Sequence, residues 1–242
     1  MQLIGTPIGN LGDITFRAVE SIKAAHVVAC EDTRHSHRLL SHLGILGKEL
    51  VALHEHNEQQ RARSLVERAM SGARIVFLSD AGTPTISDPG YRLVNACHEA
   101  GVRVEVIPGP SAVITALAGS GLPTDAFYFG GFLAVKSGRK GREIEEALAR
   151  RETSVFFESP HRLTKTVAAI AALDPDREIC VARELTKKFE TYHRGTASQL
   201  LDYFTGQPGK GEITLLIRGS GKRRGSDAAG RTPSDPAAPE KI

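Results

Sequence analysis

Alternation governs what this chain can fold into. Short apolar runs, QLIGTPI (2–8), HVVACE (26–31), LVALHE (50–55), RIVFLS (74–79) and RVEVIP (103–108), recur through its first half, and stretches of helical character at 14–25, 33–43, 58–71, 91–100 and 111–120 separate them. A strand-length apolar run followed by an amphipathic helix, repeated, buries both surfaces when the strands lie parallel and helices cover the sheet. In the first helical stretch Asp13 is placed as the N-cap, and Ile14, Ala18, Ile22 and Ala25 share one face.

The pattern restarts near GLPTDAF (121–127). FYFGGFL (127–133), SVFFES (154–159), EICVARE (178–184), ETYHRG (190–195) and GEITLLIRG (211–219) have strand character, and two of them are neighbours with no helix between, which predicts some antiparallel pairing. The expectation is two α/β domains: residues 1–123 with a mainly parallel sheet and residues 124–219 with a mixed one. Residues 220–242, rich in Gly, Pro, Ala and charge, lack apolar periodicity and are expected to form a disordered basic tail.

Composition removes several function classes. Cys30, Cys97 and Cys180 are scattered and form no C-x-x-C pair, so neither a disulfide frame nor a zinc ribbon is expected, and a reducing cytoplasm fits. MQLIGTPIGN has no basic segment followed by an apolar run, so no signal peptide is expected. The uncharged stretch 106–124 contains Pro108 and Pro110 and cannot be one membrane-spanning helix. Formal net charge is +3, and five basic against three acidic residues lie beyond Gly219. The body is therefore near neutral, and any case for nucleic-acid binding must rest on local patches.

Two loops carry the strongest chemical signal. SDAGTPTISDPG (79–90) and IPGPSAVITALAGSGLP (107–123) each follow a strand, are stiffened by proline, and contain no Lys or Arg. Ligands of open α/β sheets sit beyond the carboxyl ends of the strands. Such loops offer backbone groups and hydroxyls at fixed positions, and their glycines let a ligand approach the main chain. A small zwitterion or a cation fits them better than a phosphate.

Other patterns carry less. GTPIGNLGD (5–13) opens a helix after a strand, but its glycines do not match G-x-G-x-x-G, and no G-K-[ST] occurs, so NAD and P-loop nucleotide sites are not expected. His54 and His56 flank Glu55 at a strand end, where i and i+2 share a face. That leaves a metal-assisted hydrolase as an alternative from a different class, with no third ligand fixed by spacing.

GTPIGNLGDIT (5–15), VVACEDTR (27–34), LHEHNE (53–58), VFLSDAGTPTISDPGYRLV (76–94), PGPSAVITALAGSGLP (108–123), GFLAVKSGRKGR (131–142), FFESPHRL (156–163) and ARELTKKFET (182–191) together resemble the bacterial 16S ribosomal RNA cytidine-2′-O-methyltransferases of the tetrapyrrole methylase superfamily. The resemblance covers residues 2–219. It implies two α/β domains with S-adenosylmethionine in the cleft between them, and a homodimer. It places the donor on Ile8, on Ala81, Gly82, Thr83 and Ile86, on Ser111 and Ala112, and on Glu158 and Leu185. The tetrapyrrole-binding branch reads G-x-G-P-G-D in the first loop; GTPIGNLGD here argues against a porphyrinoid substrate, the alternative within the superfamily. Relatives often continue into a small helical C-terminal segment, where this chain has its basic tail.

Methyl transfer to a ribose hydroxyl needs an aligned nucleophile and gains from a base that takes its proton. Glu31 and Asp32, just past the second strand, stand where related methylases place a substrate-facing carboxylate, and Glu184 and Lys187 are further catalytic candidates. Arg34 or Lys187 is a candidate for the adjoining phosphate. As plain alternatives, Glu31 caps the helix beginning near Thr33, and Lys187 and Lys188 form a solvated turn. Lys136, Arg139, Lys140 and Arg142, interleaved with Ser137, Gly138 and Gly141, read as a mobile phosphate clamp, with Lys188 a further RNA contact. A non-duplex cytidine of 16S ribosomal RNA on the assembled small subunit is the expected target.

Overall fold

The computed structural model describes residues 1–221. The expected tail therefore lies, apart from its first two residues, outside the described residues. The first sheet comprises β1 (Gln2–Ile4), β2 (Val27–Cys30), β3 (Glu49–Ala52), β4 (Ile75–Leu78) and β5 (Glu105–Ile107), in the order β3-β2-β4-β1-β5, with every pair parallel. Every residue of β2 and β4 is buried, as expected of strands covered on both faces. Helices α1 (Phe16–Ala24) and α2 (Thr33–His42) pack Ala18, Ile22 and Leu40 on one face. On the other, α3 (Glu58–Met70) and α4 (Tyr91–Glu99) contribute Ala62, Leu65, Leu93 and Cys97.

β1 is shorter than the run QLIGTPI, because beyond Ile4 the chain turns against the loop after β5: a Cβ on Gly5 would lie 2.8 Å from Gly109 Cα. Thr15 rather than Asp13 caps α1, its side chain accepting from Ala18 N at 3.1 Å. Asp13 belongs instead to a short 3-10 turn, Leu11–Asp13, capped by Asn10.

The second sheet comprises β6 (Phe127–Phe132), β7 (Thr153–Glu158), β8 (Glu178–Arg183), β9 (Thr191–Thr196) and β10 (Ile213–Ile217), in the order β6-β7-β10-β8-β9. Only β6 and β7 pair in parallel; the neighbours β8 and β9 are antiparallel. Helices α6 (Ser137–Ala149), α7 (Pro160–Leu173) and α8 (Ala197–Gly206) cover one face. The other receives α5 (Ala112–Ser120), whose Val113, Ala116 and Leu117 meet Val155, Cys180, Ala182 and Leu216. That contact accounts for the buried side of α5, while its other side leaves Ile114 exposed.

The strand order creates the cleft. From β1 the chain crosses towards β2 on one side, and from β4 it crosses towards β5 on the other, yet β1 and β4 are neighbours. Their outgoing loops diverge and leave a crevice at the carboxyl ends of the strands, where doubly wound sheets hold ligands.

Candidate functional site

The loops after β1 and β4 are tied across this crevice. Thr6 N donates to Gly82 O at 2.9 Å and Gly82 N to Thr6 O at 3.1 Å, an isolated antiparallel bridge. Gly82 has a φ of 76°, which a side chain would strain. Further along, Thr85 and Ser87 also adopt positive φ, and Thr85 N is held by Pro89 O. The loop then enters α4 at Gly90, which has no side chain to cap it. Glu58, buried on α3, does so instead: its Oε1 accepts from the backbone N–H groups of Gly90, Arg92 and Leu93 at 3.0, 2.8 and 3.3 Å. A carboxylate from a neighbouring helix thus locks the proline-rich loop from behind.

In front of the loop lies a cavity of about 460 Å³. All nine residues expected at the methyl donor line it. Ile8 comes from the first loop, Ala81, Gly82, Thr83 and Ile86 from the second, and Ser111 and Ala112 from the start of α5. Glu158 at the end of β7 and Leu185 after β8 close the far side. Sequence reasoning did not assign Asp88, Phe132, Phe157 or Glu212, which also line it. Asp88 stood in the quoted SDPG and could have been found; Glu212 was hidden at the start of an apparent strand, GEITLLIRG. Among the described residues no Lys or Arg lines the cavity, whereas Asp88, Glu158 and Glu212 do. That donor set suits a cation or zwitterion.

The lining carboxylates differ in state. Glu158 is saturated: it accepts from Thr166 Oγ1 at 2.6 Å and Ser159 N at 2.7 Å, and pairs with Arg162 at 2.5 Å. Asp88 has little compensation; burial, opposed in part by Ser79 and reinforced by Asp80, pushes its pKa up to about 6.

Among the catalytic candidates, Asp32 and Glu31 separate. Asp32, not Glu31, is the N-cap of α2, accepting from Arg34 N at 2.8 Å, and it pairs with the Arg34 guanidinium at 2.7 Å. The Arg34 hydrogen bonds hold its carboxyl well below the usual carboxylate range. Glu31 escapes the cap. Burial, followed by the charges of Asp80, Asp88 and Glu55, raises its pKa, which brings a carboxylate nearer the range of a general base.

Lys187 lies over the first loop, so that a Cβ on Gly9 would meet Lys187 Cγ. Its ammonium contacts Glu184 at 3.0 Å and Glu212 at 3.2 Å. Burial disfavours that charge, but these hydrogen bonds outweigh it and raise the pKa. Glu184 Oε1 also accepts from Glu212 N at 2.9 Å. Glu212's amide first, and Lys187 with it, lower the Glu184 pKa despite some desolvation. Glu184 therefore holds Lys187 rather than standing free. Lys188 is exposed, with its ammonium 5.7 Å from the Phe189 ring centroid.

Two expectations need correction. The segment 136–142, read as a mobile clamp, is helical from Ser137 onward as part of α6, Gly138 and Gly141 included. The amphipathic stretch that follows, with Ile144 and Ala147 buried, carries the helix back through both glycines. Arg139 pairs with Glu143 at 3.0 Å on this helix, and Lys140 Nζ donates to Thr166 Oγ1 at 3.2 Å. Lys136 and Arg142 are exposed and, among the described residues, outside any ion pair. His54 and His56 do not share a strand face, because β3 ends at Ala52 and both lie in the turn beyond it. No cluster of metal-ligating side chains occurs among the described residues, which removes the geometric basis of the hydrolase alternative.

The family model described as Tetrapyrrole (Corrin/Porphyrin) Methylases matches residues 2–201. The Ribosomal RNA small subunit methyltransferase I of Vibrio cholerae is 47% identical over 239 residues, covering 96% of this chain and 82% of that protein. Its namesake in Escherichia coli O157:H7 is 46% identical over 222 residues, covering 90% and 77%, and that of Bacillus subtilis is 42% identical over 220 residues, covering 91% and 75%. Among solved structures, a diphthine synthase aligns with a TM-score of 0.70 at 17% identity over 90% of each chain. A uroporphyrin-III-C-methyltransferase from Thermus thermophilus aligns with a TM-score of 0.60 at 21% identity over 90% of this chain and 93% of that one. At such identities the structural likeness concerns the fold.

Proposed function

We propose that this chain, which belongs to the tetrapyrrole methylase family, transfers a methyl group from S-adenosylmethionine to the ribose 2′-hydroxyl of a cytidine in 16S ribosomal RNA. The observation that carries the reading is the convergence of five separated sequence blocks on one cavity that is lined by carboxylates and, among the described residues, free of basic ones. The identity to small-subunit methyltransferases supports the substrate class.

Ile8, Ala81 to Thr83, Ile86, Ser111, Ala112 and Leu185 would hold the donor, with Asp88 and Glu212 as counter-charges to its cationic groups. Bound there, S-adenosylmethionine supplies an electrophilic methyl group. The protein's own work is to place the ribose oxygen in line and to take its proton. Glu31, raised in pKa and electrostatically coupled to Asp88 at the cavity, is the base. Lys187, held by Glu184 and Glu212, meets the phosphate beside the target. Arg34, Lys188 and the basic first turns of α6 bind the flanking backbone. The working form is a homodimer acting in the cytoplasm on the assembled small subunit.

Incubating purified small subunits with labelled donor, followed by nucleoside analysis, tests this directly. The expected product is 2′-O-methylcytidine. A base-methylated nucleoside, or methyl transfer to a target with a deoxyribose at that position, would overturn the ribose assignment. Methylation of a uroporphyrinoid in place of RNA would move the chain to the other branch of the family.

A further inference from the structure

We propose that a second cavity, separated from the first by residues 209–212, binds a nucleotide that neighbours the target in the RNA strand, with its phosphate on Arg183 and Lys210 and its base on Tyr203. The inference rests on the RNA reading above and names a subsite for it.

This cavity, of about 400 Å³, opens on the face of the second sheet covered by α8, a size within the range of ligand pockets. Val181 pairs with His193, and Arg183 lies two residues further along β8, so all three point to that face. Tyr203 and Phe204 of α8 complete the wall.

The Arg183 guanidinium is the anomaly. Arg150, Arg162, Arg177 and Arg218 each reach a carboxylate. Arg183 is half-buried and forms no ion pair among the described residues; its Nε is buried without a hydrogen-bond partner, as are those of Arg150, Arg162 and Arg218, so the missing carboxylate is what sets it apart. The adjacent Glu184 feels its charge, but a Glu184 oxygen is already engaged by Lys187 Nζ and Glu212 N. A half-buried guanidinium with no carboxylate beside it is left with donor capacity, and because Arg183 lines the cavity a phosphate entering there would meet its terminal nitrogens, the fork that guanidinium offers an oxyanion. Lys210, exposed at the same cavity, adds a second positive charge.

The opposite wall is aromatic. Tyr203 is 39% exposed, and the His193 ring lies 4.8 Å from it, with Phe204 edge-on behind at 5.4 Å. Burial and the nearby Arg183 push the His193 pKa down, which keeps that ring neutral. Cations beside a supported, accessible aromatic face are the elements that bind single-stranded nucleic acid. Gly209 and Lys210 line this cavity while Gly211 and Glu212 line the donor cavity. A strand presenting its ribose to one can therefore lay an adjacent nucleotide into the other.

Cytidine 5′-monophosphate is the probe, followed by ligand-detected NMR with saturating S-adenosylhomocysteine occupying the first cavity. Binding is expected to persist in the unmodified protein, to weaken roughly tenfold or more in Arg183→Gln and Tyr203→Leu, and to recover in part in Arg183→Lys. In subunit methylation the first two variants should raise KM by a similar factor, with donor affinity and kcat unchanged. Displacement of the nucleotide by S-adenosylhomocysteine, or equal binding in both variants, would overturn the subsite. Competition by inorganic phosphate with no effect of Tyr203→Leu would reduce it to an anion site and overturn the stacking. Failure of the unmodified protein to methylate any subunit would sink the RNA reading, whereas normal methylation with unchanged KM in both variants would sink only this inference.

Discussion

Thr166 donates its hydroxyl to Glu158 Oε2 at 2.6 Å while accepting from Lys140 Nζ at 3.2 Å. One buried hydroxyl on α7 thus joins the basic helix α6 to the wall of the first cavity. Thr166→Val should strip a buried carboxylate oxygen of its donor and lower stability by about 1–3 kcal/mol, read as a lower urea midpoint. Glu158→Ala, which leaves Arg162 without its partner, should cost more. Equal stability in both variants would show that the network is dispensable.

Donor binding should be lost when bulk enters the loop after β4. Thr83 lines the cavity, and Thr83→Tyr fills the space in front of the loop, so calorimetry should find no donor binding in a folded protein. Gly82→Val should abolish it too, but less cleanly: at a φ of 76° a β-branched residue strains the backbone and loosens the bridge to Thr6. Unchanged affinity in Thr83→Tyr would remove the loop from the donor site.

The basic turns of α6 should not contribute equally. Lys136→Ala and Arg142→Ala should each flatten the salt dependence of RNA-substrate binding by about 0.7 in the logarithmic slope. Lys140→Ala should change it little, because that ammonium is directed at Thr166. Arg139 should fall between, since its partner Glu143 competes with any phosphate. Equal slopes for all four variants would make this a diffuse electrostatic surface rather than a set of contacts.

The fold and the lining of the first cavity were legible because they depend on local pattern. Apolar runs such as IVFL give a strand wherever they are covered on both faces, and the glycines and prolines after them mark where the chain must turn. What stayed hidden depended on partners distant in sequence. Nothing near Gly90 indicates that Glu58, thirty-two residues earlier, caps α4. Nothing in ARELTKK indicates that Glu184 would also accept from the amide of Glu212, twenty-eight residues later. The glycines at 138 and 141 pointed to a mobile segment, but a Cβ at either would meet nothing within 4 Å, and the apolar face of Ile144 and Ala147 decided the conformation.

Glu31→Gln and Lys187→Met should each lower kcat much more than donor affinity, because their proposed work is on the hydroxyl and its flanking phosphate. With Glu31 as the base, the rate should climb with pH through a pKa above the ordinary carboxylate value, as burial and the charges of Asp80, Asp88 and Glu55 require. That limb should disappear in Glu31→Gln. Glu184→Gln should act through Lys187, raising KM for the subunit rather than erasing the pH limb, and an altered limb in that variant would reassign the base.

Asp88 links donor binding to pH. Its folded pKa of about 6 lies above the ordinary Asp value of 3.8, with burial as the main cause. The protonated form is therefore favoured by folding: its contribution is fully present below about pH 4 and is lost as pH rises through 6. Asp88→Asn should accordingly stabilise the donor-free protein at pH 7 by about 1–2 kcal/mol, discounted for the solvent that still reaches the group, and by nothing at pH 4. Donor binding should run the other way. A cation placed beside Asp88 draws its pKa down, so binding releases a proton and affinity increases from pH 5 to 7. Calorimetry in two buffers of different ionisation enthalpy measures that proton directly. Asp88→Asn should abolish both the proton release and the pH dependence, and a donor affinity flat from pH 5 to 8 in the unmodified protein would place the cationic group of the donor away from Asp88.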